Sequence, residues 1–315
     1  MTILRISLYL ALIYGIVNII YNSSVSPFLS GQLPTTRRLF GQGDTYPDPS
    51  TDSTMPRTPG TTVYKKVVLI GDSQFELSWN PELEFCFPAA LSNYYGRRAD
   101  VLNRGLAGYN SVWMRSQLDR VIHELKHYDA DVALLFVLWL GTNDSCLEFT
   151  EHHVPVPEFV TNVQSYVSEI KRNFAYARIL LVAPAPISKA GLAASTMRTK
   201  GTDRTQAATK EYVDALLQYS DDPNVVRKID LFSAIVDAAG YDSNTTIFDE
   251  NSPITEDADL KIAKFTVDGL HLNGNGYREL FNLVKCTLDD WDGVRASDID
   301  GVEPGWADKA RRFRK

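Results

Sequence analysis

Between Val63 and Leu231 the chain alternates two apolar patterns. Five short runs, Val63–Ile70 (VYKKVVLI), Asp100–Asn103, Val132–Leu140 (VALLFVLWL), Ile179–Ala183 and Val226–Leu231, are rich in Val, Ile and Leu with few polar interruptions. Near-continuous apolar strands are buried on both faces, as in parallel sheets covered by helices on each side. Between the runs lie longer segments of helical period: in Ser111–His127, Met114, Leu118, Val121, Ile122 and Leu125 recur three and four residues apart. Alternation of strand and helix predicts parallel crossover units, and so a three-layer α/β/α sandwich around a parallel sheet of about five strands. In such sheets ligands bind beyond the carboxyl ends of the strands. The residues that follow each run are therefore where chemistry is to be sought.

Both ends of the chain break this pattern. Residues Ile3 to Ile20 are almost entirely apolar, and at 1.5 Å per residue they reach roughly 27 Å, close to the hydrocarbon thickness of a bilayer. Residues 1–21 read as a signal anchor or an unusually long signal peptide. Residues 22–62, rich in Ser, Thr, Pro, Gly and Asp without helix or strand period, read as a disordered stalk. Arg5 precedes the apolar run, whereas Arg37 and Arg38 lie well beyond it. The positive-inside rule then favours a cytosolic amino terminus and a folded region, 63–291, facing the lumen or exterior of the secretory pathway. Cleavage after the apolar run would instead release a secreted protein. Sequons at Asn22 and Asn244 are compatible with either route. Residues 292–315 form an acidic then basic tail, ending in Lys309, Arg311, Arg312, Arg314 and Lys315, read as solvated, with contact to anionic lipid as the alternative.

Composition narrows the classes of function. Apolar residues make up 44% of the 315 and charged residues 23%, which excludes a fibrous or wholly disordered chain. Lys plus Arg number 32 against 39 Asp plus Glu, a formal charge of −7, so a nucleic-acid partner is not expected. Cys86, Cys146 and Cys286 match neither a CxxC metal pattern nor an even-numbered disulfide framework.

Four polar motifs stand out. Gly71-Asp72-Ser73 follows the first strand, Asn103-Arg104-Gly105-Leu106-Ala107-Gly108 the second and Gly141-Thr142-Asn143-Asp144 the third, while Asp268-Gly269-Leu270-His271 comes near the end. These blocks resemble the SGNH, or GDSL, hydrolase superfamily. The runs RRADVLNRGLAGYNSVW and GTNDSCLEFTEHHVPVPEF look like its isoamyl-acetate-hydrolysing esterase branch, over Val67 to Trp291. The resemblance implies a flavodoxin-like sheet and a serine esterase without metal or organic cofactor, acting on a small ester. By the same resemblance Ser73 is the nucleophile, His271 the general base and Asp268 its orienting partner, with Gly108 and Asn143 beside Ser73 in the oxyanion hole. Removal of O-acetyl groups from carbohydrate is an alternative activity, and an inactive binding module a remote one.

The residue chemistry agrees. A serine hydroxyl becomes nucleophilic when a neutral imidazole takes its proton, and the imidazole needs a partner on its other nitrogen to fix the tautomer. Asp268 and His271, three residues apart, can supply that unit. The N–H groups of Ser73 and Gly108 and the amide of Asn143 can meet a developing oxyanion, and at Gly108 no Cβ obstructs the substrate. One departure from the superfamily is Gln74-Phe75-Glu76, where an aliphatic residue and a small polar one usually follow the serine, so a different pocket beside Ser73 is expected.

Other patterns compete. His123-Glu124-Leu125-Lys126-His127 matches HExxH, but at 100° per residue both histidines fall opposite the stripe of Leu118, Val121, Ile122 and Leu125, and are expected to face solvent. His152-His153 reads as a loop that could reach the site, and Gly274-Asn275-Gly276 as the start of the last helix, Tyr277 to Trp291. Asn143-Asp144-Ser145 is formally a sequon and is expected to be unoccupied. The acidic stretch Asp242–Asp259 reads as a solvated insertion, or as a flap over the site.

Overall fold

The structure, a computed structural model, describes residues 63–195, 203–242 and 255–302. Strands β1 (Lys65–Gly71), β2 (Ala99–Asn103), β3 (Ala133–Trp139), β4 (Arg178–Val182) and β5 (Val226–Ile229) pair in parallel in the order β2-β1-β3-β4-β5. Helices α1 (Ser73–Glu76) and α2 (Phe87–Tyr94) lie between β1 and β2, and α3 (Arg115–Leu125) between β2 and β3. After β3 comes α4 (Val156–Asn173), then α5 (Lys189–Ala194) and α6 (Gln206–Gln218) between β4 and β5. The described chain ends with α7 (Leu231–Ala238), α8 (Glu256–Ala263) and α9 (Gly274–Asp289). Each of the five apolar runs holds one strand.

The period of two along β1 and β3 sorts the core into two halves. Val68, Ile70, Phe136 and Leu138 pack against Leu118 and Ile122 of α3, Phe159 and Val163 of α4 and Tyr212 of α6. Val67, Leu69, Val137 and Trp139 turn the other way, onto Phe87 and Leu91 of α2 and Tyr277, Leu280 and Val284 of α9. Both faces of the sheet are thus covered, and this is why the strand sequences lack alternation. Because β2 and β3 flank β1 on opposite sides, the chain reverses direction across the sheet at the β1/β3 boundary. At such a boundary the loops after the two strands diverge, and ligands of open α/β sheets bind there.

The packing runs past Trp291, the boundary expected from sequence. Val294 is fully buried, Tyr95 Oη donates to its carbonyl at 2.7 Å, and Val302 N–H donates to Arg97 O at 3.0 Å. Residues 292–302 therefore close the end of α2 and belong to the domain instead of to a tail. The three cysteines form no disulfide. Among the described residues no helix is long and apolar enough to cross a membrane. The apolar run Ile3–Ile20, the stalk, the sequons at Asn22 and Asn244 and the basic cluster Lys309–Lys315 lie outside the described residues.

Candidate active site

Ser73 is the first residue of α1, directly beyond the end of β1, with only Asp72 between them. Asp72 caps the helix, its Oδ1 accepting from Gln74 N–H at 2.9 Å. Asn103, at the end of β2, donates through Nδ2 to Phe75 O at 2.6 Å and accepts from Gly105 N–H at 3.0 Å. The neighbouring strand thereby fixes the short helix in place. The N–H of Ser73, at the first helical position, has no intrahelical acceptor.

His271 and Asp268 lie on the loop between α8 and α9. His271 Nε2 is 2.9 Å from Ser73 Oγ, and His271 Nδ1 is 2.7 Å from Asp268 Oδ2. The other Asp268 oxygen accepts from the N–H groups of Leu270 at 3.0 Å and His271 at 2.8 Å. Burial pushes the Asp268 carboxyl upward, but the hydrogen bonds and charge of His271, with the Leu270 N–H, together outweigh it and hold the group below the usual carboxylate range. A carboxylate that only accepts requires Nδ1 to carry the proton, which leaves Nε2 as the acceptor facing the serine.

Gln74 holds this loop in register. Its buried amide donates to Leu270 O at 2.9 Å and accepts from Leu272 N–H at 3.3 Å, gripping the backbone on either side of His271. Phe75 is fully buried against Trp139 and Phe87, and Glu76 accepts from Ala107 N–H at 2.5 Å. Gln74 and Phe75 thus face the protein and Glu76 braces the Gly108 loop. The departure read from sequence as a changed pocket is a set of supports. On the far side of the loop, Gly269 adopts φ +88°, and its carbonyl accepts from Ser188 N–H at 2.8 Å. Asp259 of α8, buried, accepts from Lys189 and Ala190 N–H at 2.8 and 2.7 Å and so caps α5 beneath it. The last acidic residue of the stretch expected to be solvated is therefore an anchor, whereas positions 243–254 lie outside the described residues.

A Cβ at Gly269 would stand 2.2 Å from Leu192 N and 2.5 Å from Ser188 O, at a φ that L-residues avoid. We expect Gly269→Ala to destabilise the fold by about 2–4 kcal/mol and to lower activity through displacement of Asp268. Denaturant unfolding and initial rates check both, and an unchanged midpoint would remove the steric account.

Gly108 and Asn143 occupy the loops after β2 and β3. Gly108 adopts φ +78°, and a Cβ there would stand in ordinary van der Waals contact with His152 Cε1 at 3.8 Å. Its carbonyl accepts from His152 Nδ1 at 3.1 Å, and the imidazole meets Trp113 edge-on. The loop that carries His152 therefore reaches the Gly108 turn. Asn143 Nδ2 donates to Tyr109 O at 2.9 Å, joining the two loops, and its Oδ1 accepts from Arg204 Nη2 at 3.1 Å. Asp144 pins the same corner, accepting from Ser111 N–H at 2.9 Å and Gly141 N–H at 3.2 Å. The Asn143 amide is thus buried and held at both ends.

Two more acidic groups are buried here. Burial pushes the Asp72 carboxyl up to about 7, the Gln74 N–H opposing, Asp144 adding, and His271 and Arg204 opposing again. Burial likewise raises Asp144, offset in part by Ser111 and Gly141. Arg204 and the supporting role of Gln74 are the features that sequence reasoning missed, whereas the His152 loop, read as one that could reach the site, touches Gly108. In the HELKH segment His123 is exposed on α3 as its periodicity predicts, His127 is exposed beyond the end of that helix at Leu125, and Glu124 pairs with Arg104 at 2.8 Å.

The profile of the GDSL-like lipase/acylhydrolase family matches residues 67–284, most of the chain and every motif of the site. The chain belongs to this family. Among curated relatives of this GDSL-family chain, the isoamyl acetate-hydrolyzing esterase 1 homolog of Bos taurus is 28% identical over 252 residues, 79% of this chain and 89% of that protein. The isoamyl acetate-hydrolyzing esterase of Saccharomyces cerevisiae is 26% identical over 223 residues, 68% of this chain and 82% of its own length. A solved lipase/acylhydrolase from Enterococcus faecalis superposes with a TM-score of 0.49 at 18% identity, covering 76% of this chain and all of that one. The protein is thus a GDSL-type carboxylic ester hydrolase, related to the isoamyl-acetate-hydrolysing branch.

Proposed function

We propose that the protein hydrolyses short-chain, acetyl-type carboxylic esters through a serine acyl-enzyme. The observation that carries this reading is the unbroken chain from Ser73 Oγ through His271 to Asp268, at 2.9 and 2.7 Å. In the first half-reaction His271 Nε2 takes the Ser73 proton as Oγ attacks the ester carbonyl. The negative charge on the former carbonyl oxygen meets the N–H groups of Ser73 and Gly108 and the free N–H of Asn143 Nδ2. Collapse of the tetrahedral intermediate breaks the ester C–O bond, and the imidazolium returns its proton to the departing alcohol. Water then attacks the acyl-serine with His271 again as base, releasing the acid and restoring Ser73. Asp268 stabilises the imidazolium in both halves without taking the proton.

The preference for short esters is supported by the relatives, whose names state hydrolysis of isoamyl acetate. The test is turnover of p-nitrophenyl esters from acetyl to decanoyl by the full chain, with and without chelator, beside O-acetylated xylose. Fastest turnover of the short alkyl esters, unchanged by chelator, is the expected result. A clear preference for the acetylated sugar would move the assignment to carbohydrate deacetylation, and loss of turnover with chelator would overturn the metal-free scheme. A secretory location, anchored or released, is part of the same proposal; its support is the apolar run Ile3–Ile20 followed by a polar, Ser/Thr/Pro-rich segment.

A further inference from the structure

Arg204 is almost fully buried, with 7% of its surface exposed, in the segment that leads into α6. A buried guanidinium carries a desolvation cost of several kcal/mol, usually offset by a hydrogen-bonded carboxylate. Among the described residues the nearest carboxylate, Asp203, forms an ion pair at 3.9 Å from Nε, too long for a hydrogen bond. The hydrogen bonds of the fork go instead to two neutral oxygens of the loop after β3: Nη1 donates to Thr142 O, and Nη2 to Asn143 Oδ1 at 3.1 Å. The charge is thus directed at the residue that the proposed mechanism uses as an oxyanion donor.

We propose that Arg204 is the positioning residue of the oxyanion hole, holding the Asn143 amide so that one N–H remains turned toward the developing negative charge. The assignment rests on the reading of Asn143 given under Proposed function. An amide can flip, exchanging its oxygen and nitrogen, and a flipped Asn143 would present a lone pair to the oxyanion. Two contacts forbid the flip. Arginine has only donors, so Oδ1 must face it, and the Tyr109 carbonyl only accepts, so Nδ2 must face that. One of the two Nδ2 hydrogens is used by Tyr109, and the other is left for substrate. Donation into Oδ1 also polarises the amide and strengthens its remaining N–H, as happens along hydrogen-bonded chains in a low-dielectric interior. Arg204 touches no reacting atom and acts through Asn143.

The test compares Arg204→Lys, Arg204→Met, Asn143→Ala and the Arg204→Met/Asn143→Ala double variant in the full chain. The readouts are kcat and KM on p-nitrophenyl acetate, inhibition by 1-butaneboronic acid, whose serine adduct is tetrahedral, and thermal unfolding. Lysine keeps the charge but lacks the fork, and so decides the matter even if the methionine variant fails to fold. We expect kcat to fall about 10- to 100-fold in Arg204→Met and less in Arg204→Lys, with KM within about twofold and boronate affinity falling alongside kcat. The double variant should be no slower than Asn143→Ala, since a positioning residue has nothing left to position. Folded Arg204→Lys with wild-type kcat and boronate affinity overturns the proposal, as do losses that multiply in the double variant. Full activity of Asn143→Ala is a different failure: it removes the oxyanion reading itself, and Arg204's role with it.

Discussion

Ser73→Ala is expected to lower kcat on short esters by roughly 10^4- to 10^6-fold, the loss typical when the nucleophile of a serine–histidine–aspartate unit is removed. The structure separates this effect from damage to the fold. Ser73 Oγ makes its hydrogen bond to His271 Nε2, whereas the helix start is capped by Asp72, not by the serine. Loss of one such hydrogen bond shifts stability by about 1 kcal/mol, so the thermal midpoint should move little. Gln74 and Asp268 keep His271 in place without the serine. The measurement is initial rates beside thermal unfolding of the same preparation. Turnover near wild type in a folded Ser73→Ala protein would remove Ser73 as nucleophile and require a general-base route to water. An unfolded variant would show instead that the strand-to-helix junction depends on the hydroxyl.

Much of this arrangement is legible in the chain because it is written in local patterns. The strands are readable since β1 and β3 are buried on both faces, so that runs such as VALLFVLWL carry no alternation to misread. The exposure of His123 follows from its angle to Leu118 and Leu125 on α3, and His127 is exposed just beyond the end of that helix. What escaped has a common physical origin, in that its meaning depends on contacts far along the chain. Arg204 stands in the polar stretch Asp203-Arg204-Thr205-Gln206, which reads as surface. It is buried because its fork reaches the loop after β3, and because Leu147 N–H donates to Asp203 O at 2.8 Å, drawing the segment onto that loop. Gln74 suggested a changed pocket because composition cannot tell which way a side chain turns, and it turns to residues almost two hundred positions later. Asp259 fell within an acidic run, yet the exposed N-terminal N–H groups of α5 capture it, an interaction that needs two helices to be placed first.

Asp268→Asn is expected to lower kcat by about 10^3- to 10^4-fold with little change in stability, and the geometry explains why so small a change matters. Asp268 has two duties on separate oxygens. One oxygen receives the backbone N–H groups of Leu270 and His271, and an asparagine Oδ1 can continue to accept both. The loop should therefore hold its shape. The other oxygen receives the proton on His271 Nδ1, and in the variant this position is taken by an NH2 group, which can only donate. The imidazole then lowers its energy by placing its proton on Nε2 and accepting at Nδ1. That tautomer points an N–H at Ser73 Oγ where the mechanism requires a lone pair. Asp268→Ala should behave differently, since it removes the backbone contacts as well and is expected to lose stability along with rate. The comparison that decides is the ratio of the two effects. Asp268→Asn slow but as stable as wild type, beside Asp268→Ala slow and destabilised, supports tautomer control. Equal destabilisation of both variants would reduce Asp268 to a loop support and remove it from the proposed mechanism. Because the folded protein holds Asp268 below the usual carboxylate range, the partner of His271 Nδ1 keeps its charge to lower pH than a free carboxylate would.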